Sequence, residues 1–164
     1  MRPFTMVSPS LWKSKRFRSL SDTGKLLYNY LLTGPQQTPI GVFQMDDGYA
    51  SADLAWTTET LSAARSELIN AELIAFDPDR GILAIRGWFK FNPVWNGNHH
   101  KGAIRQIAEL APSPIHAVVL DEYYKAMEAS GSSVPSRLAR DQKASAAAAA
   151  LSGKWAVRTS RFNR

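Results

Sequence analysis

Apolar and polar positions follow two rhythms along this chain, and the places where the rhythm changes mark out its elements. Leu26, Leu27, Tyr30 and Leu31 recur at helical spacing. Ser21 supplies an N-cap ahead of them, Asp22 an acidic first turn and Gly34-Pro35 a stop, so a helix is predicted from Ser21 to Gly34. The loop Gln36-Gln37-Thr38-Pro39 leads into Ile40–Met45, which reads as a short strand ending at Asp46-Asp47-Gly48. Tyr49 to Trp56 suits a short second helix with Leu54 and Trp56 toward the core. Thr57 or Thr58 then caps a third helix, whose stripe is Leu61, Ala64, Leu68 and Ile69, and neither choice of cap completes a capping box. Leu73–Phe76 and Ile82–Arg86 flank the turn at residues 77–81 and pair as a hairpin.

The order helix, strand, helix, helix, hairpin is that of a winged helix, and the expected fold class is mainly α with a small β-sheet: a winged helix-turn-helix followed by additional helices. Trp88, Phe89, Phe91 and Trp95 suggest a segment packed back onto the domain. Helices are expected from about Asn98 to Leu110 and, after Pro112-Ser113-Pro114, to about Met127. The expected division is a basic N-terminal segment 1–20, a winged-helix domain 21–97, accessory helices 98–128 and a basic Ala-rich tail 129–164. The tail has strong helix propensity at Ala144–Leu151 but no apolar face beyond alanine, so it is expected to order only with a partner.

Composition narrows the chemistry. The 164 residues contain no cysteine, which excludes disulfides, a thiolate nucleophile and cysteine-ligated zinc. No apolar run approaches the ~18–20 residues that cross a bilayer, and the first residues lack the apolar core of a signal peptide. A cytoplasmic location follows as the expectation. The net charge of +6 favours a polyanionic partner. Residues 1–110 hold 12 Lys/Arg against 10 Asp/Glu, residues 111–164 hold 8 against 4, and Lys13, Lys15, Arg16 and Arg18 crowd into one short run.

No glycine-rich phosphate loop, nucleophile elbow or paired metal-ligand motif is present, so the chain reads as a non-enzyme with no cofactor and no metal. His99 and His100 are adjacent and point apart on a helix, with no third ligand at the following turn.

Two residue sets fit nucleic acid. Lys13, Lys15, Arg16 and Arg18, interleaved with Trp12 and Phe17, suit phosphate contacts ahead of the first helix; the alternative is a solvated segment whose aromatics pack on the core. On the third helix, Thr58, Thr60, Ser62, Ser66 and Asn70 face outward, with Arg65 beside them as either a helix-edge DNA contact or a snorkelling arginine. Glu59 and Glu67 work against a strongly positive surface there, and the two aspartates of the 77–81 turn make the wing a poor phosphate binder.

The strings Leu20-Ser21-Asp22 with Leu26-Leu27-Tyr28-Asn29-Tyr30-Leu31-Leu32-Thr33-Gly34-Pro35, then Ile40-Gly41-Val42-Phe43, Asp53-Leu54-Ala55-Trp56, Glu67-Leu68 and Leu73-Ile74 carry a resemblance. So do Phe89-Lys90-Phe91-Asn92-Pro93, Lys101-Gly102-Ala103-Ile104 and Glu109-Leu110. Over roughly residues 10–115 the chain resembles the winged-helix N-terminal module of phage replication initiators, or replisome organisers, of the DnaD-like group. The resemblance implies origin binding in a bacterial host cell, with double-stranded DNA as partner, the third helix in the major groove, and Lys101 and Arg105 joining the basic run on phosphates. It also implies a possible homodimer and a replicative helicase or its loader as a further partner, although a full initiator carries another domain for that recruitment. Alternatives are a winged-helix transcriptional regulator and a phage protein-interaction module that captures a host protein.

Overall fold

Ser14 and Ser21 set the geometry of the N-terminal third. In the computed structural model, which describes residues 5, 7–94 and 96–130, a 3-10 turn at Pro9–Lys13 is followed by α1 (Lys15–Arg18) and α2 (Asp22–Thr33). Ser14 Oγ accepts from the Phe17 amide at 3.4 Å and Ser21 Oγ from the Gly24 amide at 3.0 Å, each taking up an orphan donor of a helix start. Residues 9–18 of the basic segment are therefore folded, and Phe17 and Leu20 are buried. On α2 the buried face is Gly24, Leu27, Tyr28 and Leu31, so the apolar stripe is rotated by one position from the expected one and Leu26 is exposed. Burial holds the Tyr28 hydroxyl up at about 12, with Glu122 adding to it.

The strand at Ile40–Met45 shortens to β1 (Val42–Gln44), because Gly41 takes a left-handed turn at φ +69° against the Trp88 ring. Then come α3 (Asp47–Leu54), α4 (Thr58–Asn70), β2 (Ile74–Asp77) and β3 (Ile82–Ile85). Of the residues expected to fill the core from α3, Leu54 and Trp56 are only half-buried; Ala50 occupies that position.

The sheet has the order β1-β3-β2 and is antiparallel throughout, with Val42 opposite Ala84, Phe43 opposite Leu83, and Phe76 opposite Leu83 on the other side. The central strand β3 buries Leu83, Ala84 and Ile85, and α4 adds Leu61, Ala64 and Leu68, while Ile69 stays outside. Three helices α2–α4 and a hairpin joined to a short strand make the winged-helix arrangement, followed by α5 (Trp88–Phe91), α6 (Gly97–Ala108) and α7 (Pro114–Ala129). Trp88 and Phe89 are buried, as a segment folded back on the domain requires, whereas Phe91 is exposed and Trp95 lies outside the described residues.

The chain divides into two units between residues 126 and 127. Of the basic Ala-rich tail expected at 129–164, residues 131–164 lie outside the described residues. No described helix is long and apolar enough to cross a membrane.

Candidate nucleic-acid interface

Thr57 caps α4, accepting from the Thr60 amide at 3.3 Å, so Thr58 is the first helical residue. From there Thr58, Ser62, Ser66 and Asn70 follow at intervals of four and form one exposed row along the helix. Ser66 Oγ donates to the Ser62 carbonyl at 2.9 Å. Thr60 stands off this row: it is half-buried and its hydroxyl lies 3.2 Å from that of Thr57.

Both charged residues in the middle of α4 turn inward. The Arg65 guanidinium forks onto the Asp47 carboxylate of α3, with Nη1 on Oδ1 and Nη2 donating to Oδ2 at 2.9 Å. It also sits 4.4 Å above the Phe76 ring of the wing. With its side chain only 11% exposed, Arg65 offers no guanidinium to a groove. Of the two expectations for Arg65, a helix-edge DNA contact or a snorkelling arginine, this placement disfavours the first: the arginine is held by a partner on α3, which its own helix does not reveal.

Glu67 leaves the outer face as well. Its carboxylate accepts from the Ser21 amide and the Ser21 hydroxyl, both at 2.6 Å, and so closes the start of α2. Glu59 remains exposed in the first turn. A hydrogen bond from its own amide, then one from Thr57, holds its carboxyl below the usual range, which marks it as a helix-start residue.

The basic run divides in the same way. Arg16 pairs with Glu72 at 2.8 Å and donates to the Glu72 carbonyl at 3.3 Å. Glu72 occupies the left-handed region at φ +52° in the turn joining α4 to β2, so Arg16 fastens α1 to the end of the third helix. Its charge is partly met by this exposed pair, unlike those of its neighbours in the run. Lys13, Lys15 and Arg18 are exposed and have no ion-pair partner among the described residues.

The wing is turned toward the later helices. Asp77 is buried and accepts from Ser113 Oγ at 2.5 Å and from the Asp79 and Arg80 amides. The Ser113 bond is the main cause of its lowered carboxyl pKa, and burial opposes it. Arg80 donates to the Leu110 carbonyl at 2.7 Å, so the one wing-turn cation points at the end of α6.

On α6, Asn96 caps the helix through the His99 amide, and His100 Nδ1 bonds the Tyr123 hydroxyl. Among the described residues no group of three His, Asp or Glu side chains gathers as a metal site would need. Lys101 is exposed without a partner among the described residues, and Arg105 lies 3.9 Å from Glu109 one turn on.

Three features escape a reading of residue types. Asp47, Glu67 and Glu72 act by positioning α4, through partners 18, 46 and 56 residues away. No local pattern announces such pairs. Comparison with protein-family models, with curated proteins and with solved structures finds no match to this chain.

Proposed function

We propose that this chain is a DNA-binding winged-helix protein of phage type that acts in replication initiation, holding origin duplex against α4. The observation that carries the DNA-binding part is the outer row of α4. With Arg65 and Glu67 drawn inward, Thr58, Ser62, Ser66 and Asn70 present small, uncharged, hydrogen-bonding side chains. Such a face lets a helix approach base edges closely, with Asn70 the one side chain able to make a two-point contact with adenine.

Phosphate contacts come from Lys13, Lys15 and Arg18 beside the helix end, with Lys101 on α6. The wing contributes little, since Asp77 and Arg80 are spent on the accessory helices. The assignment to replication rather than transcription rests on the resemblance of residues 10–115. The acidic residues that favour a protein-capturing module divide: Glu67 and Asp77 face inward, while Glu59 and Asp79 stay exposed.

Substituting Ser62→Glu together with Ser66→Glu tests the role of α4. Both positions are exposed, so the fold should be retained, as circular dichroism would show. Two carboxylates facing phosphates should weaken duplex binding by more than tenfold. Unchanged affinity with an intact fold would remove α4 from the interface.

A further inference from the structure

Trp12 and Phe17 are neighbours in the basic run, and the structure separates them. Phe17 is fully buried, while Trp12 is 61% exposed. The Trp12 ring is nevertheless held: it meets Phe17 at 5.1 Å with the planes at 86°, an edge-to-face contact with a side chain that cannot move aside. Its backbone is fixed in the 3-10 turn, where Ser8 caps the start, the Leu11 amide donates to the Ser8 carbonyl at 3.0 Å, and the Ser14 amide donates to the Leu11 carbonyl at 3.0 Å. A large aromatic surface is therefore pre-set in water, beyond the edge that meets Phe17.

Its surroundings say what would cover it. Lys13 lies next to it and Lys15 and Arg18 follow on α1, all exposed and without ion-pair partners among the described residues. No Asp or Glu occurs before Asp22. An apolar protein surface would have to desolvate those cations without compensation. Duplex DNA keeps its base faces stacked inside and offers the indole nothing to stack on. A single strand supplies both halves of the match, unstacked base faces for the ring and phosphates for the lysines and arginine.

We infer that Trp12 is a stacking site for an unpaired base, and that Lys13, Lys15 and Arg18 carry the adjoining phosphates of a single strand. The Arg16–Glu72 pair ties this segment to the end of α4, so the same three cations serve the phosphates of either ligand in turn, and Trp12 is what distinguishes the single strand. The inference rests on the reading of the N-terminal segment as a nucleic-acid contact and does not depend on α4.

The test uses the full chain, fluorescence anisotropy, a labelled oligo(dT) of about 16 nucleotides and a blunt duplex, with wild type, Trp12→Ala and Trp12→Phe. Wild type should bind oligo(dT). Trp12→Ala should weaken that binding by about tenfold and leave the duplex affinity unchanged, while Trp12→Phe, which keeps an aromatic face and the contact with Phe17, recovers most of the loss. Absence of oligo(dT) binding by wild type overturns the inference. So does an equal effect of Trp12→Ala on both ligands, or no effect on either. Trp12-dependent oligo(dT) binding without duplex binding would sink the duplex proposal and leave this one standing, and duplex binding without oligo(dT) binding would do the reverse.

Discussion

Substituting Arg65 separates a structural arginine from a DNA-contacting one. Arg65→Ala removes a two-point charged hydrogen bond to Asp47 and a cation–π contact with Phe76. Breaking a fully buried ion pair costs about 3–5 kcal/mol. The Asp47 side chain is 38% exposed, so water recovers much of its solvation and the pair is worth about 1.5 kcal/mol here. The contact with Phe76 adds about 0.5–1 kcal/mol, giving a total near 2 kcal/mol.

For a domain of this size that corresponds to a fall in Tm of roughly 6–8 °C. Arg65→Lys keeps the charge but cannot fork onto both oxygens, and should lose about half as much. Thermal unfolding followed by circular dichroism reads both. A double-mutant cycle with Asp47→Ala should return a coupling of about 1–1.5 kcal/mol. Duplex affinity measured well below the Tm should stay within a fewfold of wild type. An unchanged Tm with a steep loss of duplex affinity would refute the inward assignment and return Arg65 to the DNA face.

Other contacts in the fold have measurable consequences. A Cβ at Gly24 would stand 2.4 Å from Glu67 Oε2, so Gly24→Ala trades a helix-propensity gain of about 1 kcal/mol against the Ser21–Glu67 closure and should be near neutral. In a Glu67→Ala background the same change should become stabilising, which chemical denaturation of the four variants would show. Gly41→Ala combines a left-handed φ with a Cβ 2.4 Å from the buried Trp88 ring and should cost about 3 kcal/mol, read as a lowered denaturation midpoint. Asp77 has a folded pKa below its ordinary 3.8, so its contribution to stability is complete above that value and disappears as pH falls through the lower folded value. Ser113→Ala should shift that acid limb toward higher pH, and Asp77→Asn should abolish it; identical acid profiles in all three proteins would contradict the Ser113–Asp77 bond as its cause.

Much of the fold was legible because it rests on short-range signals. Ser21, Gly34-Pro35, the capping threonines and the alternation on either side of residues 77–81 each act within a turn or a strand, and the elements they mark are present. What was misread depended on partners distant in sequence. The phase of α2 is set by which side meets α4, so Leu26 is exposed although its own spacing fits a core stripe. Ile40 to Met45 has the composition of a longer strand, but the chain takes a left-handed turn at Gly41, where a Cβ would meet the Trp88 ring.

The candidate site followed the same division. The uncharged row on α4 is visible from helical spacing alone. The pairing of Arg16 and Arg65 is not, because Glu72 and Asp47 reach them across the fold. Trp12 and Phe17 are alike in type and neighbourhood, and only packing decides that one is core and the other surface.

Phosphate contact by the partner-free cations is tested most directly by the salt dependence of duplex binding. Wild type, an Arg16→Ala variant and a triple variant with Lys13, Lys15 and Arg18 changed to alanine should be titrated with random-sequence duplex over a series of salt concentrations. The triple variant should lose about 2–3 units of the logarithmic salt slope, one for each released counterion, and Arg16→Ala should keep a slope close to wild type because Glu72 partly meets its charge. Equal slopes for wild type and the triple variant, or no binding by wild type at low salt, would contradict the DNA-binding reading.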